Sequence, residues 1–161
     1  MDLRMSTAIR IACGCLVCLA LAACGGSSGG SASSNQQAIT HMFVAMQSAM
    51  AKGDYAGACS WLSQRQQSSI VSGAKKAGLT ASDCAGAFRA LISTAGVSKA
   101  QLAQAFGNSA PKIRSLSVHG DQATVTYTDK DNGKTFTETD GLVKENGNWR
   151  ADRTIKRHDG T

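Results

Sequence analysis

Aromatic side chains are scarce in this chain, at 5% of 161 residues, and proline occurs once, at Pro111. With so few rings, the core has to be assembled mainly from Ala, Leu, Ile, Val and Met. The same scarcity, with no long run of basic residues, argues against nucleic acid as a partner. No apolar run reaches the ~20 residues that a helix needs to cross a hydrocarbon core roughly 30 Å thick. The longest, IACGCLVCLALA at 11–22, stops short of that. Gly-x-Ser-x-Gly elbows, phosphate-cradling glycine loops and His-Glu-x-x-His are all missing. The three histidines, His41, His119 and His158, stand at no metal-ligand spacing. Asp129, Asp131 and Asn132 open like a calcium loop, but no glutamate stands at the twelfth position. A hairpin turn explains them better. Neither a metal nor a cofactor is expected.

What is present begins with an address. Residues 1–10, MDLRMSTAIR, are positively charged, and 11–22 have the length of a signal-peptide apolar region. Translation could start at Met1 or Met5, since MSTAIR keeps the charge. Leu21-Ala22-Ala23-Cys24 follows, then Gly25-Gly26. This segment resembles the lipobox of bacterial lipoproteins. The resemblance implies cleavage between Ala23 and Cys24, diacylglycerol on the Cys24 thiol, and a chain held at the extracytoplasmic face of the cell membrane. Each buried methylene of such an anchor contributes roughly 0.8 kcal/mol, so two or more long chains hold it essentially permanently. Cys13, Cys15 and Cys18 read as small apolar members of the leader.

Residues 25–37, GGSSGGSASSNQQ, lack any large apolar side chain and read as a flexible tether behind the lipidated Cys24. Its root-mean-square span is about 20 Å, and about 45 Å fully stretched. Beyond it, 38–157 form one domain and 158–161 a frayed tail. Without residues 1–23 the chain carries 15 basic and 10 acidic side chains. That excess suits contact with anionic head groups or wall polymers, and it also serves solubility.

The domain's patterning changes once. Ile39, Met42, Phe43, Met46 and Met50 mark one helix face, closed by Lys52-Gly53. Asp54 caps a short second helix with Tyr55, Ala58 and Leu62 on one face. A third helix is predicted over Gln64–Lys76, with Ile70, Val71 and Ala74 inward. A fourth is predicted over about Ala81–Ala95, capped by Thr80 or Ser82, with Cys84, Phe88, Leu91 and Ile92 on its face. Ser98 and Gln101 form a capping-box pattern for a fifth, with Leu102 and Phe106 inward. After Pro111 the period becomes two. Strands are predicted at 112–118, 122–128, about 134–144, and from Trp149 through Ala151 and Ile155. Short turns at His119-Gly120-Asp121, Asp131-Asn132-Gly133 and Asn146-Gly147 make the four an antiparallel meander. Phe136 and Leu142 share a parity with Glu138 and Asp140, so a bulge near Asp140-Gly141 is expected. The class is α+β, with N-terminal helices packed on a curved, cone-like antiparallel sheet.

Gly53-Asp54-Tyr55, Cys59, Cys84, Gly120-Asp121 through Tyr127, and Leu142 through Trp149 resemble the nuclear-transport-factor-2-like superfamily over about residues 38–156. The similarity is strongest to that group's small secreted bacterial lipoproteins. The helical matter between Leu79 and Phe106 departs from the pattern. In an oxidising compartment the two remaining thiols, Cys59 and Cys84, are expected to bridge, and the resemblance favours the same pair. Neither cysteine has a neighbouring histidine or a Cys-x-x-Cys partner for reactive chemistry. The superfamily's enzymes place an acid or base inside the cone, often with a tyrosine. Tyr55, Tyr127, Asp54 or Glu138 would be the counterparts here. Asp54 reads better as a helix cap, Tyr127 as core and Glu138 as a surface residue.

Three functions compete. The leading expectation is a non-catalytic, lipid-anchored binding or accessory domain. Its occupant would be a small apolar ligand, in a pocket between sheet and first helix, or an envelope protein. The second is an isomerase- or dehydratase-like enzyme, which needs an acid of raised pKa facing that pocket. The third is a structural envelope protein holding anionic polymer through Lys112, Arg114, Arg150, Arg153, Lys156 and Arg157, which then have to share one exposed face.

Overall fold

A computed structural model describes residues 28–107, 111–131 and 134–159. Cys24, Ala23 and the leader lie outside the described residues. Five helices precede four strands: α1 Ser28–Lys52, α2 Tyr55–Cys59, α3 Gln64–Lys76, α4 Cys84–Thr94, α5 Lys99–Phe106, β1 Lys112–His119, β2 Gln122–Asp131, β3 Lys134–Glu145 and β4 Asn148–Asp159. The strands pair in the order β1-β2-β3-β4, every neighbour antiparallel. The fold is the α+β meander the sequence predicts. No helix of the described residues is long and apolar enough to cross a membrane.

The expected face of α1 is the buried one. Ile39, Met42 and Phe43 join Ala123, Val125, Tyr127, Leu142 and Trp149 in the main core, with Ile39, Met42 and Val125 fully buried. Further along α1, Ala49 and Met50 pack with Ala58, Tyr55, Phe88 and Phe106. Gly53 ends the helix at φ +73°, a left-handed conformation that costs glycine nothing.

Two boundaries differ from expectation at the ends of the domain. Residues 28–37, read as tether, form the first turns of α1. Adding residues to an existing helix gains a hydrogen bond apiece without a second nucleation penalty. Asn35 also accepts the indole N–H of Trp149 at 3.3 Å, and the Thr40 hydroxyl donates to the Gln36 carbonyl at 2.8 Å. At the other end, His158 pairs with Thr137 and Asp159 with Phe136, so strand rather than frayed tail runs to Asp159.

The caps follow side-chain chemistry. Asp54 accepts the Gly57 N–H at 2.9 Å, and Ser98 with Gln101 closes a full capping box. α4 is capped by Asp83, not Thr80 or Ser82: its carboxylate takes the Gly86 N–H at 2.7 Å, and the helix starts three residues later than expected. A carboxylate at this position also complements the helix dipole, which a hydroxyl does not.

Ser63 ties the helices to the sheet. It is fully buried and its oxygen accepts the Gln66 N–H at 3.1 Å, capping α3. Its hydroxyl donates to Asp152 Oδ1 at 2.7 Å. The chain around it pairs with the outer edge of β4, through Ser63 N–H to the Ala151 carbonyl at 2.8 Å and Ala151 N–H to the Trp61 carbonyl at 2.9 Å. Ser63→Ala removes the cap and leaves Asp152 Oδ1 to Arg65 alone. The expected loss is about 1–2 kcal/mol, read as a lower urea midpoint at unchanged slope.

Candidate functional site at the polar end of the sheet

β2 and β3 alternate cleanly. Ala123, Val125 and Tyr127 face inward opposite Leu142, Asp140 and Glu138. α1 covers the apolar end of this surface, where the expected pocket between sheet and helix is instead filled by Ile39, Met42 and Phe43. The side chains farther along are polar. Tyr127 lies against Phe43, ring centroids 4.9 Å apart, and donates its hydroxyl to Asp140 Oδ2 at 3.0 Å. Glu138, directly opposite Tyr127, accepts the Thr154 hydroxyl at 3.0 Å and pairs with Arg157 at 3.5 Å. Gln47 reaches down from α1 to Asp129 at 2.7 Å.

Asp140 is the unusual member. It is 7% exposed, and its second oxygen, Oδ1, is buried without a hydrogen-bond partner. Desolvation by burial, then the nearby Glu138 charge, pushes its carboxyl up to about 7. The hydrogen bond from Tyr127 opposes that rise without cancelling it. Burial foremost, then Asp140, drives the Tyr127 hydroxyl well above its ordinary value, so it remains a donor. The pair therefore offers a tyrosine hydroxyl and a carboxyl that changes protonation near neutral pH. Such a carboxyl can accept from, or donate to, a group placed at Oδ1.

Of the expected acid and tyrosine candidates, Tyr127 and Glu138 come together and the other two do not. Glu138 lies on the inward face rather than the surface. Asp54 is the α2 cap, and Tyr55 stacks on Phe88 at 6.3 Å in a separate cluster. The residue missed was Asp140. A bulge is present, with register shifts at Thr139/Asp140 and Gly141/Leu142, but it belongs to the β3–β4 ladder. The β2–β3 ladder runs unbroken, so Asp140 keeps the inward parity of its neighbours. The signal was the shared parity of Phe136, Glu138, Asp140 and Leu142.

The other candidates disperse. Cys59 and Cys84 form a disulfide that joins α2 to α4, and both are buried. His41 sits edge-on to Trp61 at 5.6 Å, and His119 meets the Ser117 hydroxyl at 3.0 Å. Among the described residues no group of three His, Cys, Asp or Glu is placed to hold a metal ion. An open hollow of about 580 Å³ lies between α3 and α4, lined by Gln67, Val71, Lys75 and Asp83 among others. The six basic residues do not share one face. Arg157 turns in to Glu138 and lies over the Phe136 ring at 4.1 Å, and Arg150 lies over Trp61 at 5.6 Å.

The chain matches no protein-family profile and no curated protein. A crystal structure of an NTF-2-like protein of unknown function from Silicibacter pomeroyi DSS-3 is similar to it, with a TM-score of 0.48 and 16% sequence identity. The match covers 80% of this chain and 98% of that one.

Proposed function

We propose that this chain is a lipid-anchored, extracytoplasmic binding domain, and that its ligand contacts the polar end of the inner sheet face. The observation that carries the binding site is the buried, unpartnered Oδ1 of Asp140 beside the Tyr127 hydroxyl. A buried polar atom left without a partner costs roughly 1–3 kcal/mol, and a ligand hydroxyl or amine at Oδ1 recovers it. The surrounding apolar groups, Phe43 and Phe136, suit the carbon skeleton of such a ligand. The anchor reading rests on Leu21-Ala22-Ala23-Cys24.

A second reading is favoured by one observation. A carboxyl raised to about 7 is tuned for general acid–base chemistry at neutral pH. An isomerase- or dehydratase-like enzyme would use Asp140 for proton transfer and Tyr127 to stabilise developing negative charge.

Mass spectrometry of the protein purified from an exporting bacterium tests both parts. Under denaturing conditions the chain is expected to begin at an acylated Cys24, and Cys24→Ser to be released from membranes. Under native conditions a small molecule is expected to accompany the parent and be lost from Asp140→Leu. A chain starting elsewhere without acyl mass overturns the anchor. A ligand retained by Asp140→Leu overturns the site. A recovered molecule that the parent converts to an isomer, and Asp140→Asn does not, decides for the enzyme.

A further inference from the structure

The outward face of the sheet has a composition unlike the rest of the molecule. The register places its residues in rows across the strands: Lys112–Thr128–Thr137–His158, then Ser115–Thr126–Thr139–Lys156, then Ser117–Thr124–Gly141–Arg153. The two middle strands therefore present a field of hydroxyls, and Thr126 and Thr139 touch across it with oxygens 3.0 Å apart. Cations stand at both borders, Lys112 on β1 and Lys156 with Arg153 on β4, and all three are exposed. None of them makes an ion pair with a described residue.

No carboxylate has outward register on any of the three rows. Four acids of the same strands turn elsewhere. Asp129 is taken by Gln47, Glu138 and Asp140 face the core side, and Asp152 is held by Ser63 and Arg65. Keeping acids off these three rows while leaving their exposed cations without an ion pair is not needed for folding, since mixed charges would serve solubility better. Strands lie about 4.8 Å apart and outward side chains recur about every 6.8 Å along them. The field is thus roughly 14 Å wide between its cationic borders, the width of one extended polymer strand with its side groups.

We infer that this face binds an extended anionic sugar polymer, its hydroxyls meeting the threonine field and its carboxylates or phosphates meeting Lys112, Arg153 and Lys156. Ile155, 50% exposed and close beside Gly141 on this face, offers a large apolar contact, which suits the C–H surface of a sugar ring. A bilayer surface would call for several protruding apolar side chains, and single-stranded nucleic acid for stacking rings. No Phe, Tyr or Trp has outward register on the three rows, where His158 is the single ring. The surface exists whether or not Cys24 carries lipid, and it lies on the opposite side of the sheet from Asp140.

The test is calorimetric titration of the full chain in nonionic detergent with soluble polygalacturonate, against neutral dextran, poly(dT) and vesicles containing phosphatidylglycerol. Polygalacturonate is expected to bind and dextran not, with affinity falling steeply between low and physiological salt. Arg153→Gln with Lys156→Gln is expected to weaken it roughly tenfold or more. Thr126→Val with Thr139→Val is expected to weaken it with the salt dependence unchanged. Arg65→Gln, on the helix side, is expected to change nothing. Thermal melts confirm that each variant is folded. Equal loss from Arg65→Gln, no loss from the Arg153 and Lys156 pair, or tighter binding to poly(dT) or to the anionic vesicles overturns the inference.

Discussion

Asp140→Asn is expected to flatten the fall in stability that the parent shows as pH rises from about 4 to about 7. In the unfolded chain this carboxyl loses its proton near 3.8, whereas in the fold it holds the proton up to about 7. Between those values the native state binds more protons than the unfolded state, so stability declines with rising pH. The contribution is complete below the unfolded value and gone above the folded one. Over that whole range the decline amounts to about 4 kcal/mol at most. At pH 8 the variant is therefore expected to be more stable than the parent, because it keeps the Tyr127 hydrogen bond without burying a charge. At pH 4 the two are expected to lie within about 1 kcal/mol. Urea midpoints at pH 4.5, 6 and 8, taken as parent minus variant, cancel the other titrating groups. A difference that stays constant across the three pH values refutes the account.

The second large effect concerns the bridge. Replacing Cys59 and Cys84 together by alanine releases a constraint spanning 25 positions. Chain entropy alone puts the loss at roughly 3.5 kcal/mol. For a domain of this size that lowers the melting temperature by about 10–15 °C. Both sulfurs also fill space, between Leu62 and Phe88, so alanine at each position leaves a small additional gap. Reducing agent is expected to bring the parent down nearly as far and to leave the double variant unmoved. A drop of less than about 3 °C in the reduced parent would show that Asp83, Ser63 and the Ala74, Ala81 and Ala87 contacts hold α3 and α4 in place unaided.

The cysteine pair and Asp140 differ in how far the sequence exposes them. The pair can be named from the sequence because, once Cys13, Cys15, Cys18 and Cys24 are read as leader and anchor, only two thiols are left. Asp140 cannot, although its neighbours Phe136, Glu138 and Leu142 have its parity and a bulge is expected beside it. The sequence does not say which of the two ladders carries that bulge. Had it fallen between β2 and β3, Asp140 would face solvent beside Thr126. It falls between β3 and β4, and the carboxyl is buried against Tyr127.

The basic residues divide on the same ground. Lys112, Arg114, Arg150, Arg153, Lys156 and Arg157 form one set in the sequence, yet two shifts of register turn Arg157 toward Glu138 and leave Arg153 and Lys156 facing out. The tether shortened for a related reason. Nothing in SASSNQQ marks a helix, but Asn35 meets an indole 114 positions away.

By itself the sequence determined the elements and their order. Periods of 3.6 and of two residues, the caps at Asp54 and Ser98, and the turns at Gly120 and Asn146-Gly147 act within a few residues of one another, so local chemistry decides them. The tertiary structure alone decided which polar groups are buried, how far α1 extends, and which cations share a surface. Those outcomes depend on partners brought together across the sheet. A one-residue slip in pairing reverses which face a side chain takes, and burial then sets the charge it can carry.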